Sequence, residues 1–326
     1  MKLIHTQSLA IGYTEGHTNK VLQEDINLSL SSGEIISLMG QNGVGKTTFI
    51  KTLSGLHKRI SGSVYHQDRL IDEISKSSLA KQISIVLTEK PFAEYLSVIE
   101  LIALGRHPYS NWIGRLSTSD KQAIDLSMSQ TNIDYLAHKK LYQLSDGQFQ
   151  KVMIARALAQ ETDLIILDEP TAHLDLSNKI EIMLLLKSIA GSGKGVLIAT
   201  HDLQVSLQLS DRLWLFNFNQ PVLDGCPEDL ILQGAIDQTL FPINNNIDLT
   251  TGTVKHLDER KGNVLLQGDP TMVHWTAQAL QRNGYAVNKD APTSITINCL
   301  DCLWKLESKD TSTSFDSIEN LLIHLK

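Results

Sequence analysis

The sequence predicts an α/β fold. A parallel-sheet core carries a glycine-rich loop, with an antiparallel β part before it, a helical insertion within it and a small α+β unit after it. Three observations carry this. Apolar, strand-like runs alternate with helical periodicity up to about residue 250, the pattern of βαβ units. Residues 40–48 read Gly40-Gln41-Asn42-Gly43-Val44-Gly45-Lys46-Thr47-Thr48 between an apolar strand and a helix. Beyond the polar run Asn244-Asn245-Asn246 a separate set of strands and helices begins.

Residues 3–13 read as a first strand ending in a turn at Gly12, and residues 19–30 as a second, with Ile26, Leu28 and Leu30 alternating. Ser31-Ser32-Gly33 turns into the strand at 34–39, and the loop then opens a helix to Leu53. Further strands are read at 63–65 and 83–87. Residues from about 91 to 160 are mostly helical in pattern and form the insertion. The sheet resumes with strands at 164–167 and 196–199, separated by a helix over 176–190. Residues 214–225 resemble a hairpin, and 229–240 read as one helix. The expected division is a domain over 1–249 and a C-terminal accessory α+β domain over 250–326. In the latter, a strand is read at 262–268 and one or two strands at 295–306. Helices are read at 272–283, capped near Asp269 or Thr271, and at 317–325.

Bulk properties narrow the function. The chain has 326 residues, enough for one large domain and a smaller one. Its net charge of −7 argues against a surface that coats nucleic acid. No apolar run approaches the about 20 residues of a spanning helix. Residues 1–7 lack the apolar core of a signal peptide, so a cytosolic location is expected. Three cysteines, Cys226, Cys299 and Cys302, do not make a disulfide scaffold. Cys299-Leu300-Asp301-Cys302 lacks the second pair or histidines of a zinc site and reads as two ordinary thiols.

The chemistry starts at residues 40–48. Gly43 and Gly45 let successive backbone N–H groups turn inward on phosphate oxygens, and the next helix aims its positive end there. Lys46 supplies a charge for the terminal phosphates and the Thr47 hydroxyl a Mg²⁺ ligand. Downstream, Leu164-Ile165-Ile166-Leu167-Asp168-Glu169 is a buried strand ending in two acids. Such a strand delivers its carboxylates to the carboxyl edge of the sheet, where open α/β sheets bind ligands. Asp168 is placed to hold Mg²⁺ and Glu169 to orient or deprotonate water.

Leu144-Ser145-Asp146-Gly147-Gln148 then opens another helix. This resembles the signature motif of the ABC-transporter ATPases, a family of P-loop NTPases, with Asp146 in place of the first of its two glycines. The resemblance spans roughly residues 1–250. It implies that Ser145, Gly147 and Gln148 serve the γ-phosphate of ATP on a second copy of the chain, with the Asp146 carboxylate turned away from phosphate. Asp175 in Ala172-His173-Leu174-Asp175 resembles the D-loop contact to that copy, and His201 the switch histidine that meets γ-phosphate and water. Tyr13 resembles the aromatic residue that stacks on adenine. The family usually carries a glutamine where Thr88 stands here, followed by Glu89. Thr88 or Glu89 is expected to take over its metal contact.

Leu104-Gly105-Arg106-His107-Pro108-Tyr109 and Trp112-Ile113-Gly114-Arg115-Leu116 are similar to the ATPases of importers for iron-siderophore, haem and cobalamin complexes. Taken alone, Arg106 reads as a solvated surface arginine. The resemblance implies an ATPase that uses ATP and Mg²⁺ and works as a homodimer. It implies attachment to the cytoplasmic face of the membrane through permease subunits, and service to an extracytoplasmic substrate-binding protein. A soluble ABC-type ATPase of translation or DNA repair is the competing reading. Those usually carry paired ATPase units or a long coiled-coil insertion, whereas this chain has one phosphate loop and a short insertion. A third reading makes the C-terminal domain a small-molecule switch on the ATPase.

Overall fold

In a computed structural model the described residues are 1–15, 18–88, 94–110, 115–240, 245–247, 254–256, 262–287, 295–300, 303–308 and 311–325. They divide into two compact units. One comprises Met1–Pro242 with Ile247–Thr253, the other Ile243–Asn246 with Val254–Lys326.

The first unit is built on a six-stranded sheet. Its spatial order is Leu223–Gly225, Arg212–Phe216, Ile35–Gly40, Gly195–Ala199, Leu164–Asp168, Ile83–Val86. The last five strands are mutually parallel and Leu223–Gly225 pairs antiparallel at the edge. Strands Ile35–Gly40, Gly195–Ala199 and Leu164–Asp168 are buried at every residue, which is why they read as continuous apolar runs. Register matters more than composition here. Leu38 and Asp168 both pair with Ala199, and Val86 pairs with Leu167, so four strands end side by side at one edge.

A second, antiparallel sheet joins Lys2–Glu15 to Thr18–Ile26, Ser29–Ser31 and Ser61–His66, with Arg69–Leu70 at its edge. The single strand expected over 19–30 is therefore two. The Thr6 hydroxyl donates to the Ile26 carbonyl and accepts from the Leu28 N–H, bridging the break. Between the two sheets lies one apolar cluster holding Leu38, Ile166, Leu197 and the loop helix Lys46–Leu53 through Phe49 and Ile50. Ile165, Leu167, Val196 and Ile198 face the opposite way, into a cluster shared with the insertion.

Phe49 is fully buried, with ring centroids 5.9 Å from Trp214 and 5.1 Å from Phe216. Phe49→Ala is expected to destabilise the unit by about 3–5 kcal/mol, the usual cost of emptying an aromatic site. Denaturant unfolding measures this, and a loss below about 1 kcal/mol would show that the site refills.

The insertion contributes helices Val98–Ala103, Thr118–Gln130 and Asp146–Ala159, with a 3₁₀ segment Leu104–Tyr109. Ser97, Ser117 and Ser145 each open a helix with a reciprocal capping box. The single helix expected over 229–240 is two, Pro227–Leu232 and Ala235–Leu240, broken at Gly234, whose φ of +70° no helix accommodates. Arg106 is not a surface residue: only 4% of it is exposed, and its partners lie far along the chain.

In the second unit the sheet runs Tyr285–Val287, Gly262–Gly268, Ile295–Leu300, Leu303–Ser308, Thr311–Phe315. Helices Pro270–Arg282 and Ile318–His324 accompany it. Its core holds Val264, Leu266, Leu280, Leu306 and Leu321. Asp269 caps the first helix by accepting from Thr271 and Met272 N–H, with Pro270 at the first helical position. The strands at 285–287 and 311–315 are absent from the sequence reading. The latter, Thr-Ser-Thr-Ser-Phe, carries no apolar alternation. Cys299 lies in strand Ile295–Leu300, and Cys302 lies outside the described residues.

Candidate nucleotide-binding site

The four aligned strand ends deliver the site. Strand Ile35–Gly40 runs into the loop, whose glycines adopt left-handed geometry, φ +82° at Gly43 and +110° at Gly45. Gly45 is the N-cap of helix Lys46–Leu53 and offers no side-chain cap, so the helix's first N–H groups stay open toward the loop. Val44 is fully buried and anchors the loop in the apolar cluster beneath. Gln41 donates from its side chain to the Thr239 carbonyl at 3.2 Å.

A pocket of about 450 Å³ opens above, lined by Tyr13, Lys20, Leu22, Asn42, Gly43, Gly45, Lys46, Thr47, Thr48, Thr88, Asp168, Glu169 and His201. Lys46 Nζ donates to the Gly40 carbonyl at 2.8 Å and the Gln41 carbonyl at 3.2 Å, curling back under the loop. Burial lowers its pKa, and Glu169 and Asp168 oppose that. The Thr47 hydroxyl donates to Asp168 Oδ2 at 3.0 Å. These hard oxygen donors suit Mg²⁺, which takes one or two protein oxygens and completes its shell with phosphates and waters.

Glu169 is half-buried and holds a positive φ of +51°, its N–H donating to the Ala199 carbonyl at 2.9 Å. Burial raises its pKa to about 7, with the Lys46 charge pulling the other way. A carboxyl poised near neutrality is what a general base requires. Its Oε1 is buried with no hydrogen-bond partner and lies 3.2 Å from His201 Nε2. That nitrogen also lies 3.2 Å from Lys46 Nζ. Burial and the Lys46 charge lower the His201 pKa, which favours neutral imidazole.

Thr88 lines the pocket, and its hydroxyl donates to the Asp168 carbonyl at 3.0 Å. Glu89 lies outside the described residues, as do Trp112, Ile113 and Gly114. Tyr13 is 45% exposed, with its hydroxyl 2.7 Å from Thr48 Oγ1 and its ring edge-on to His57. Lys20, its cross-strand partner, and Leu22 also line the pocket and were missed in the sequence. A strand paired with the one carrying Tyr13 is the signal that would have found them.

Ser145, Gly147, Gln148 and Asp175 are not brought to this pocket. Ser145 is exposed and caps helix Asp146–Ala159 by accepting from the Gln148 N–H. Gln148 reaches back to the Ser145 N–H at 3.2 Å. Asp175 caps helix Leu176–Gly191 through Asn178 N–H at 2.8 Å and holds the Asn178 side chain at 3.0 Å. A Cβ on Gly147 would sit 2.7 Å from Asn178 Oδ1, so the cap at Asp175 and the turn at Ser145 press together.

Two family models match parts of the chain: residues 23–172 match the ABC transporter family and residues 261–326 the iron ABC transporter C-terminal domain. An uncharacterised ABC transporter ATP-binding protein of Methanocaldococcus jannaschii is 37% identical over 244 residues, 74% of this chain and 82% of its own. The iron(3+)-hydroxamate import ATP-binding protein FhuC of Bacillus subtilis is 36% identical over 248 residues, 76% of this chain and 90% of its own. A dimeric ATP-binding cassette solved in a post-hydrolysis state with ADP and phosphate superposes with a TM-score of 0.59 at 26% identity, over 69% of this chain and 99% of that one. With the phosphate loop, the paired acids and the signature turn, these similarities make one conclusion: the chain belongs to the ABC transporter ATP-binding protein family.

Proposed function

We propose that this ATPase serves an importer of iron-chelate complexes of the siderophore, haem or cobalamin type. Two copies close on two ATP molecules, each bound to the phosphate loop of one copy and capped by Ser145, Gly147 and Gln148 of the other. One observation carries this reading. Asn42, Gly43, Gly45, Lys46, Thr47, Asp168 and Glu169 line one pocket, while the signature turn, with Ser145 exposed and Gly147 packed beneath it, lies outside that pocket. This supports reading the pocket as half of a site that a second copy completes. The iron-type match of residues 261–326 and the hydroxamate-import relative support the choice of cargo.

Catalysis here is positioning and electrostatics. The loop N–H groups and Lys46 hold the phosphates, and Glu169 takes a proton from the attacking water. His201, kept neutral, bridges Glu169 and the γ-phosphate region. Thr47 and Asp168 would hold Mg²⁺, which neutralises phosphate charge. Tyr13 faces the base. Thr88 or Glu89 supplies an oxygen ligand in place of an amide. The domain over 1–249 performs this chemistry.

No helix among the described residues is long and apolar enough to cross a membrane. Attachment to the cytoplasmic membrane face would therefore come through permease subunits, which receive cargo from an extracytoplasmic binding protein. The test is hydrolysis by the reconstituted complex. Ferric hydroxamate with its binding protein is expected to raise ATP turnover several-fold, whereas turnover indifferent to every iron chelate would reject the cargo. A Thr88→Ala, Glu89→Ala double variant is expected to weaken Mg²⁺-dependent ATP affinity about tenfold, the loss of one ligand contact. Unchanged affinity in a nucleotide titration would remove both residues from the metal site.

A further inference from the structure

Arg106 sits where four pieces of the first unit meet. Its Nε donates to Asp120 Oδ1 at 2.8 Å, and one Nη donates to Glu161 Oε2 at 2.6 Å and to the Ala159 carbonyl at 2.7 Å. The guanidinium lies 4.0 Å over the Tyr109 ring. Ala159 is the last residue of helix Asp146–Ala159, the helix that begins at the signature turn. Asp120 sits in the first turn of helix Thr118–Gln130, where Ser117 and then Arg106 hold its carboxyl down at about 2, so the pair stays ionised at any working pH.

The surrounding contacts lock the same joint. A Cβ on Gly105 would meet the Arg156 carbonyl at 2.3 Å, so segment Leu104–Tyr109 lies directly on the helix backbone. The Tyr109 hydroxyl donates to the Gln160 carbonyl at 3.1 Å. Gln160 in turn donates to the Ala80 and Ile83 carbonyls, and Arg156 to the Ile85 carbonyl at 3.1 Å. Those residues lead through strand Ile83–Val86 to Thr88 in the pocket. Glu161 holds a left-handed φ of +53°, a strained turn that the Arg106 bond pins.

We infer that Arg106 is a positioning residue for hydrolysis: it clamps the far end of the signature helix and so sets where Ser145 and Gly147 arrive on the partner copy's ATP. The helix has 14 residues and spans about 21 Å. A small tilt at its clamped end displaces the signature turn by ångströms, enough to spoil an aligned phosphate contact. A cation at a helix C-terminus is also favoured by the helix dipole. Arginine suits the joint because its planar fork serves two carboxylates and a carbonyl at once, which an ammonium does not.

This inference rests on the reading that the signature turn closes on the partner's nucleotide. The test uses the full chain with Arg106→Lys, Glu161→Gln and Tyr109→Phe. The last two remove single joint contacts, Glu161 being largely exposed, and keep the question open to decision if the first variant does not fold. Each variant is assayed for Mg-ATP affinity by titration, for kcat and KM, and for ATP-driven dimerisation in a Glu169→Gln background. The expected result is ATP affinity within twofold of wild type, kcat at least tenfold lower for Arg106→Lys and several-fold lower for the others, and dimerisation shifted to higher protein concentration. Folded variants with unchanged kcat and dimerisation, or with ATP affinity falling in step with kcat, would overturn it. If the unaltered chain itself neither dimerises nor hydrolyses ATP, the two-copy reading fails instead.

Discussion

Lys46→Ala is expected to abolish ATP binding at working concentrations. Lys46 is 8% exposed, and its ammonium donates to the Gly40 and Gln41 carbonyls of the loop. It also faces Asp168 and Glu169 in the pocket proposed to take the terminal phosphates. With nucleotide bound, those bonds are joined by charge-assisted bonds to phosphate, each worth about 1.5–3 kcal/mol. Losing two of them weakens affinity by at least about a hundredfold. The variant also removes the Lys46 charge that faces both Asp168 and Glu169, so their carboxylates oppose the anionic ligand more strongly. Fluorescent ATP-analogue titration measures the loss. Affinity within threefold of wild type would mean that the pocket is not the phosphate site.

Glu169→Gln is expected to leave ATP affinity intact while hydrolysis falls by about 10²–10⁴, the usual worth of a general base. The amide fills the same space beside His201 but does not take a proton from water. It also relieves the like-charge pressure between Asp168 and Glu169, which helps bind ATP. Single-turnover hydrolysis with bound nucleotide separates the two effects. Near-normal turnover would show that another group activates water.

Much of this site was legible in the sequence because its pieces are local. A loop between a buried strand and a helix, or two acids after an apolar run, is a contiguous pattern whose chemistry follows from spacing. Their meeting was less legible. It depends on the register that pairs Leu38 and Asp168 with Ala199, and register is set by the whole sheet. Arg106 shows the limit more sharply. Its carboxylate partners are 14 and 55 positions away, so its neighbourhood in sequence reads as surface while its neighbourhood in space is buried. Residues 229–240 were misread as one helix because apolar spacing continues through Gly234 although the backbone turns there. Lys20 and Leu22 escaped notice because only strand pairing brings them to the pocket. Thr311–Phe315 escaped because its inward face is carried by Thr313 and Phe315, too little apolar alternation to announce an edge strand.

The central claim is that each chain carries half a site and a second copy supplies the rest. Sedimentation of the full-length Glu169→Gln variant with and without Mg-ATP tests it most directly, alongside the same variant carrying Ser145→Arg. Monomer without nucleotide, dimer with Mg-ATP, and monomer again when Ser145 is replaced are expected. A chain that stays monomeric with saturating Mg-ATP, while the wild type hydrolyses ATP at a specific rate independent of protein concentration, would contradict it.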